Sequence, residues 1–224
     1  MTKNRNLVVI SIWMSLIIQI ITTVITYNGV QISKGIPKNA NILRDSLIME
    51  TIVQIIELVF YIYLTFLITF KSFKLDKAVH IRYIDWFITT PTMLLSTIMF
   101  MYYNSNLKDD NTDISSEPKT FIEFIQQNSW SIILIVIFNA GMLFFGYLGE
   151  TSKISKKTSL IIGFIFLFAN FFIIRQNYVI KRYNSINSNL FNTTFFVWSL
   201  YGIAAFQNNV VKNTSYNILD LFSK

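Results

Sequence analysis

The chain has no cysteine. That excludes a disulfide framework and a thiolate metal site. It has a single histidine, His80, so a cluster of imidazole ligands is excluded too. Charged residues make up only 14% of the 224 positions, and proline occurs three times. There is no G-x-x-x-x-G-K-[ST] loop, no G-x-G-x-x-G turn and no nucleophile elbow. What is plentiful is apolar. The hydrophobic fraction is 53%, and the mean hydropathy is +0.47. Long uncharged runs at this composition point to a multi-pass membrane protein. The net charge of +7 suggests nucleic acid as a partner. The basic residues, however, lie mostly between apolar runs, the ordinary membrane pattern, so nucleic acid is set aside. The run from Leu7 to Thr26 is too long for a signal peptide and has no small-residue cleavage site after it, so it reads as a retained helix.

One apolar stretch departs from the rest. Ile81 to Ile98 reads IRYIDWFITTPTMLLSTI. Arg82, Asp85, Thr89, Thr92 and Ser96 fall at steps of three or four, on one helix face. Charges at membrane depth are costly, so they face a protein interior and have a task. Asp220 and Lys224 form a second charged pair, one turn apart at the end of the chain. These two helices are expected to hold a cationic cofactor between them.

Seven spans, A to G, give an all-α membrane protein, a seven-helix bundle in one domain over residues 1–224. Helix A runs from Asn6 to Tyr27, with Ser11, Ser15, Gln19 and Thr22 along one face. Helix B, Ile42 to Phe70, carries Glu50, Gln54, Glu57, Tyr61 and Thr65 as a continuous polar stripe. Lipid cannot solvate two carboxylates, so they are neutral in a hydrogen-bond network, paired, or facing a water-lined pathway. Helix C follows the basic loop Lys71 to Lys77 and ends near Tyr103. The acidic segment Asn104 to Lys119 lacks the glycine of an EF-hand and reads as a solvated loop. Helix D, Phe121 to Leu148, holds Asn139, Gly141, Met142 and Gly146; the small residues among them let a bulky group or a neighbouring helix come close. Helix E is Thr158 to Ile174, followed by a basic connection to Arg182. Helix F is Asn189 to Gln207, with Trp198 and Tyr201. Helix G starts near Asn213. At ~1.5 Å per residue it covers only ~18 Å of a ~30 Å core, which points to truncation after Lys224. Lys and Arg are nearly equal on the two sets of loops, so charge does not fix orientation.

A desolvated lysine is a good amine nucleophile toward an aldehyde, and the imine so formed, if protonated, needs a carboxylate partner. Asp85 and Asp220 are available, with Arg82 to balance the second negative charge. At this point R-Y-I-D-W-F-I-T-T-P on helix C, W-S-L-Y on helix F and D-L-F-S-K on helix G resemble the microbial (type I) rhodopsins in order and place. The resemblance implies all-trans retinal bound to Lys224 as a Schiff base, with Asp85 and Asp220 as counterions and Thr89 hydrogen-bonded to Asp85. It implies Trp86 and Trp198 around the polyene, and Thr90, Asn139, Met142 and Gly146 near the chain and ring. Tyr63 and Tyr201 look like the tyrosines that hydrogen-bond the helix G aspartate. The resemblance also implies that Arg82 sits on the outer side and that the amino terminus is outside.

Ser96 stands where proton pumps carry a carboxylate, and Asn208 to Tyr216 has no acid. Gly202 and Ala205 replace a proline and a tryptophan, while Asp85 and Thr89 are intact. Ser11, Glu50 and Glu57 resemble the viral rhodopsins of giant viruses, in particular a cation-conducting group. The implied function is a light-gated cation channel in the host cell membrane. Its pathway would pass Ser11, Ser15, Gln19, Glu50, Gln54, Glu57 and Ser96. The lipid membrane and small cations or protons are the partners, and a homo-oligomer is compatible. A slow outward proton pump and a sensory rhodopsin are the alternatives. No enzyme activity is implied.

Overall fold

A computed structural model describes residues 3–33, 41–71, 73–106, 120–181 and 184–223. Lys224, Lys34 to Ala40 and most of the acidic segment, 107–119, lie outside them. The helices are α1 (Lys3–Ile32), α2 (Asn41–Phe70), α3 (Leu75–Asn106), α4 (Phe121–Glu150), α5 (Lys156–Ile174), α6 (Ser185–Ala205) and α7 (Asn209–Ser223). No strand occurs among the described residues.

Side-chain caps fix several of the starts. Thr120 accepts from the Glu123 amide, Ser155 from Thr158, and Asn184 from Ile186, each satisfying an orphan N–H. Asn208 accepts from the amides of Val210 and Val211 at 3.1 Å, which is why α7 begins at Asn209 and not near Asn213. A second boundary also moves. Arg175–Ile180 is a π-helical turn continuous with α5, not a basic loop. Lys156–Ile180 thereby becomes one span of 25 residues.

Adjacent helices close a ring in the order α1, α2, α3, α4, α5, α6, α7, back to α1. Across the ring, α3 also touches α6 and α7. The polarity is inverted relative to a soluble bundle. Ile17, Val24, Val59, Phe66, Phe144, Ile165 and Phe196 face outward, while Glu57, Arg82, Asp85, Asn187, Asn217 and Asp220 are buried. Backbone groups at membrane depth must bond within the chain, so helices with apolar outer faces are the only open arrangement that fits lipid. Five of the helices are long and apolar enough to cross a membrane. α7 is among the exceptions because its described part, Asn209–Ser223, has only 15 residues.

Candidate functional site

The centre is a buried ion pair. Arg82 Nη1 lies 3.1 Å from Asp220 Oδ2, and neither side chain reaches solvent. Desolvating both charges is costly, so each needs further partners. Tyr61 donates to Asp220 Oδ2, and Tyr201 donates to Oδ1 at 2.5 Å. Arg82 Nη1 also reaches the Tyr61 hydroxyl at 3.2 Å, and Nη2 donates to Asn217 Oδ1. Asn217 passes the network on, donating to Ser11 Oγ at 2.8 Å, while Ser15 donates to the Asn217 carbonyl at 2.8 Å. The guanidinium stands 5.5 Å from the Tyr61 ring centre, where the cation gains from the ring face.

The tyrosine on α2 is therefore Tyr61 and not Tyr63. Tyr61 is 1% exposed, and Tyr63 is 52% exposed on the outer surface. The reason is helical phase. Tyr61 continues the Gln54–Glu57 stripe at a step of four, and two further residues turn the side chain about 200° away. Tyr61→Phe is expected to destabilise the protein by roughly 1–3 kcal/mol, since Asp220 loses a buried donor. Tyr63→Phe should leave denaturant melting unchanged, and equal effects would overturn the assignment.

Asp85 is buried one turn along α3 from Arg82. Thr89 donates to its backbone carbonyl at 3.0 Å, so the expected contact is made through the backbone. Trp86, Thr90, Met142, Gly146, Trp198 and Tyr201 line one apolar cavity between α3, α4, α5, α6 and α7. Asn139 sits behind it, donating to Thr90 Oγ1 at 2.8 Å, and Thr90 donates to the Trp86 carbonyl at 2.7 Å. Gly146 is needed for Tyr83, whose hydroxyl would lie 2.5 Å from any Cβ there. Tyr83 and Tyr216 then pack edge-on against Trp86, 5.2 and 5.0 Å between ring centres.

The polar stripes of α1 and α2 face each other. Gln19 Nε2 donates to Glu57 Oε2 at 3.0 Å, and Thr22 donates to Gln54 Oε1 at 2.9 Å. Glu50 lies further along α2, where Ser96 donates to its Oε1 and Ser46 donates to the Ser96 carbonyl at 3.0 Å. The pathway residues thus fall into three bonded groups in sequence along the bundle. Sequence reasoning missed Asn217, Tyr83, Tyr216 and a Glu150–Lys212 ion pair. Of these, Asn217 lies one turn from Asn213 and from Asp220 on one face of α7, a spacing that would have flagged it.

A seven-helix ring around buried charges and an aromatic cavity defines a rhodopsin-type integral membrane protein. The profile of the family described as Bacteriorhodopsin-like protein matches residues 6–224, and the chain belongs to that family. Members of the family bind retinal through a lysine. Among solved structures, viral rhodopsin OLPVRII is 27% identical, with a TM-score of 0.78 over 97% of this chain and 92% of that one. Blue light-absorbing proteorhodopsin from Med12 is 20% identical, with a TM-score of 0.69 over 97% and 92%. Xanthorhodopsin, a light-driven ion pump with a dual chromophore, is 17% identical, with a TM-score of 0.71 over 100% and 90%. The last two support the fold alone. No curated protein sequence matches the chain.

Proposed function

We propose that the chain is a light-gated cation channel, with all-trans retinal joined covalently to Lys224. The residues present fit that group. The cavity is apolar and walled by two tryptophans, and its lining runs to Ser223, the neighbour of Lys224 in the chain. When bound, retinal supplies a light-isomerisable double bond and a cationic centre. Asp85 and Asp220 balance that cation, with Arg82 offsetting the surplus negative charge. Asp85 accepts the proton given up after illumination. Asp220 then exchanges partners with Arg82 and Tyr61, and Tyr61 is one turn from Glu57 on α2. A change at the counterions is thereby carried to the Gln19–Glu57 and Thr22–Gln54 contacts, which water must replace for ions to pass. Ionised Glu50 and Glu57 favour cations.

The observation that carries this reading is the run of polar contacts along α1, from Thr22–Gln54 and Gln19–Glu57 to Ser11, which Asn217 joins to Arg82. The amino terminus is then outside, and the membrane is that of the host cell. Assembly into homo-oligomers is compatible with the exposed apolar faces.

A second reading is an outward proton pump. It is favoured by Glu50, whose carboxylate reaches Ser96 from α2. A carboxyl is thus present beside the position where α3 has none. Voltage-clamp recording under light separates the two. A channel current reverses sign with voltage, a pump current stays outward, and a sensory protein gives none. Lys224→Ala is expected to abolish colour and current together. Colour that survives the substitution would overturn the covalent attachment.

A further inference from the structure

One buried ion pair has no part in the network above. Lys212 Nζ contacts both carboxylate oxygens of Glu150, at 2.8 and 2.6 Å. The Lys212 side chain is 1% exposed and that of Glu150 is 11% exposed. Glu150 also lines the cavity.

Local helix energetics disfavour both positions. Glu150 is the last residue of α4, where the helix dipole is negative. Lys212 is in the first turn of α7, where the dipole is positive. Each charge sits at the wrong helix end, so the other partner must compensate. The pair also spans two helices that otherwise barely touch. Both ends are anchored independently. Ser159 of α5 donates to the Phe145 carbonyl at 2.8 Å, holding the end of α4. Asn213 of α7 donates to the Leu75 carbonyl at 3.1 Å, holding the start of α7 against α3. The tie therefore joins two fixed helix ends, one of which lines the cavity at Glu150.

We propose that the Glu150–Lys212 pair seals the cavity mouth between α4 and α7 against water-soluble reagents. This rests on the retinal reading above. The seal is separate from the polar column, because on α7 Lys212 bonds toward α4 while Asn217 bonds toward α1 and α3. Water is thereby kept out on the α4 side and confined to the α1–α2 side.

The test is dark bleaching by neutral hydroxylamine, which removes the chromophore as an oxime and frees the lysine amine. Wild type, Glu150→Gln, Lys212→Met and the double variant are given retinal and followed at the visible band. The double variant leaves no uncompensated buried charge, so folding is preserved. Its bleaching in the dark is expected to be roughly tenfold faster. A rate within about twofold of wild type overturns the seal. So does a double variant that no longer takes up retinal, because a seal is dispensable for the pigment. A wild-type chain that takes up no retinal overturns the retinal reading and the seal with it.

Discussion

Arg82→Gln is expected to cost roughly 3–5 kcal/mol of stability, the usual penalty for removing one partner of a buried ion pair. Asp220 keeps the hydroxyls of Tyr61 and Tyr201 but loses its cation. Asn217 loses a donor as well, so the link from α3 to Ser11 on α1 is cut. Arg82→Lys should not restore it. One ammonium cannot present separate N–H groups to Asp220 and Asn217 in the fixed fork that a guanidinium provides. The measurement is denaturant melting of the purified pigment. Arg5→Gln is the comparison, because Arg5 caps the Ile68 carbonyl at 3.1 Å from a half-buried position. Its loss should cost only about 1 kcal/mol. If the two variants melt alike, the Arg82 network is not what holds α1, α3 and α7 together.

How far such a network can be read from sequence depends on which step is local. Helical phase is local, so the faces of α1, α2 and α3 were legible. Ser11, Ser15, Gln19, Gln54, Glu57, Arg82 and Asp85 all turn inward as their spacing requires. Phase also separates Tyr61 from Tyr63, and the error there came from matching a residue type without checking its step from Glu57. Helix ends were less legible, because caps such as Asn208 lie outside any apolar period. Contacts between distant segments were legible only where a buried charge demanded a partner, as for Arg82 and Asp220. Nothing near Glu150 announces Lys212, since the pair depends on where the α4 end and the α7 start meet. Ser96 illustrates the same limit. Read along α3 alone it marks a missing carboxylate, yet Glu50 reaches it from α2.

Glu57 gives the sharpest functional prediction, because it is fully buried and lies off the cavity lining. Glu57→Ala removes the acceptor for Gln19 Nε2 and empties one closure of the column. The visible band should stay where it is, since no cavity residue changes. The photocurrent should change severalfold, because the contact that water must replace has gone. Glu57→Gln separates shape from charge. The amide is nearly the same size and can still accept from Gln19, but it cannot carry a negative charge. If a carboxylate sets the preference for cations, the reversal potential of Glu57→Gln should follow external cation concentration less steeply than wild type. Currents of wild-type size and reversal in both variants would remove Glu57 from the pathway. Without it the α1–α2 column would be a hydrogen-bond network that only packs helices. An outward current at every voltage, in wild type as in both variants, would instead favour the pump reading, with Glu50 beside Ser96 as the carboxyl that matters.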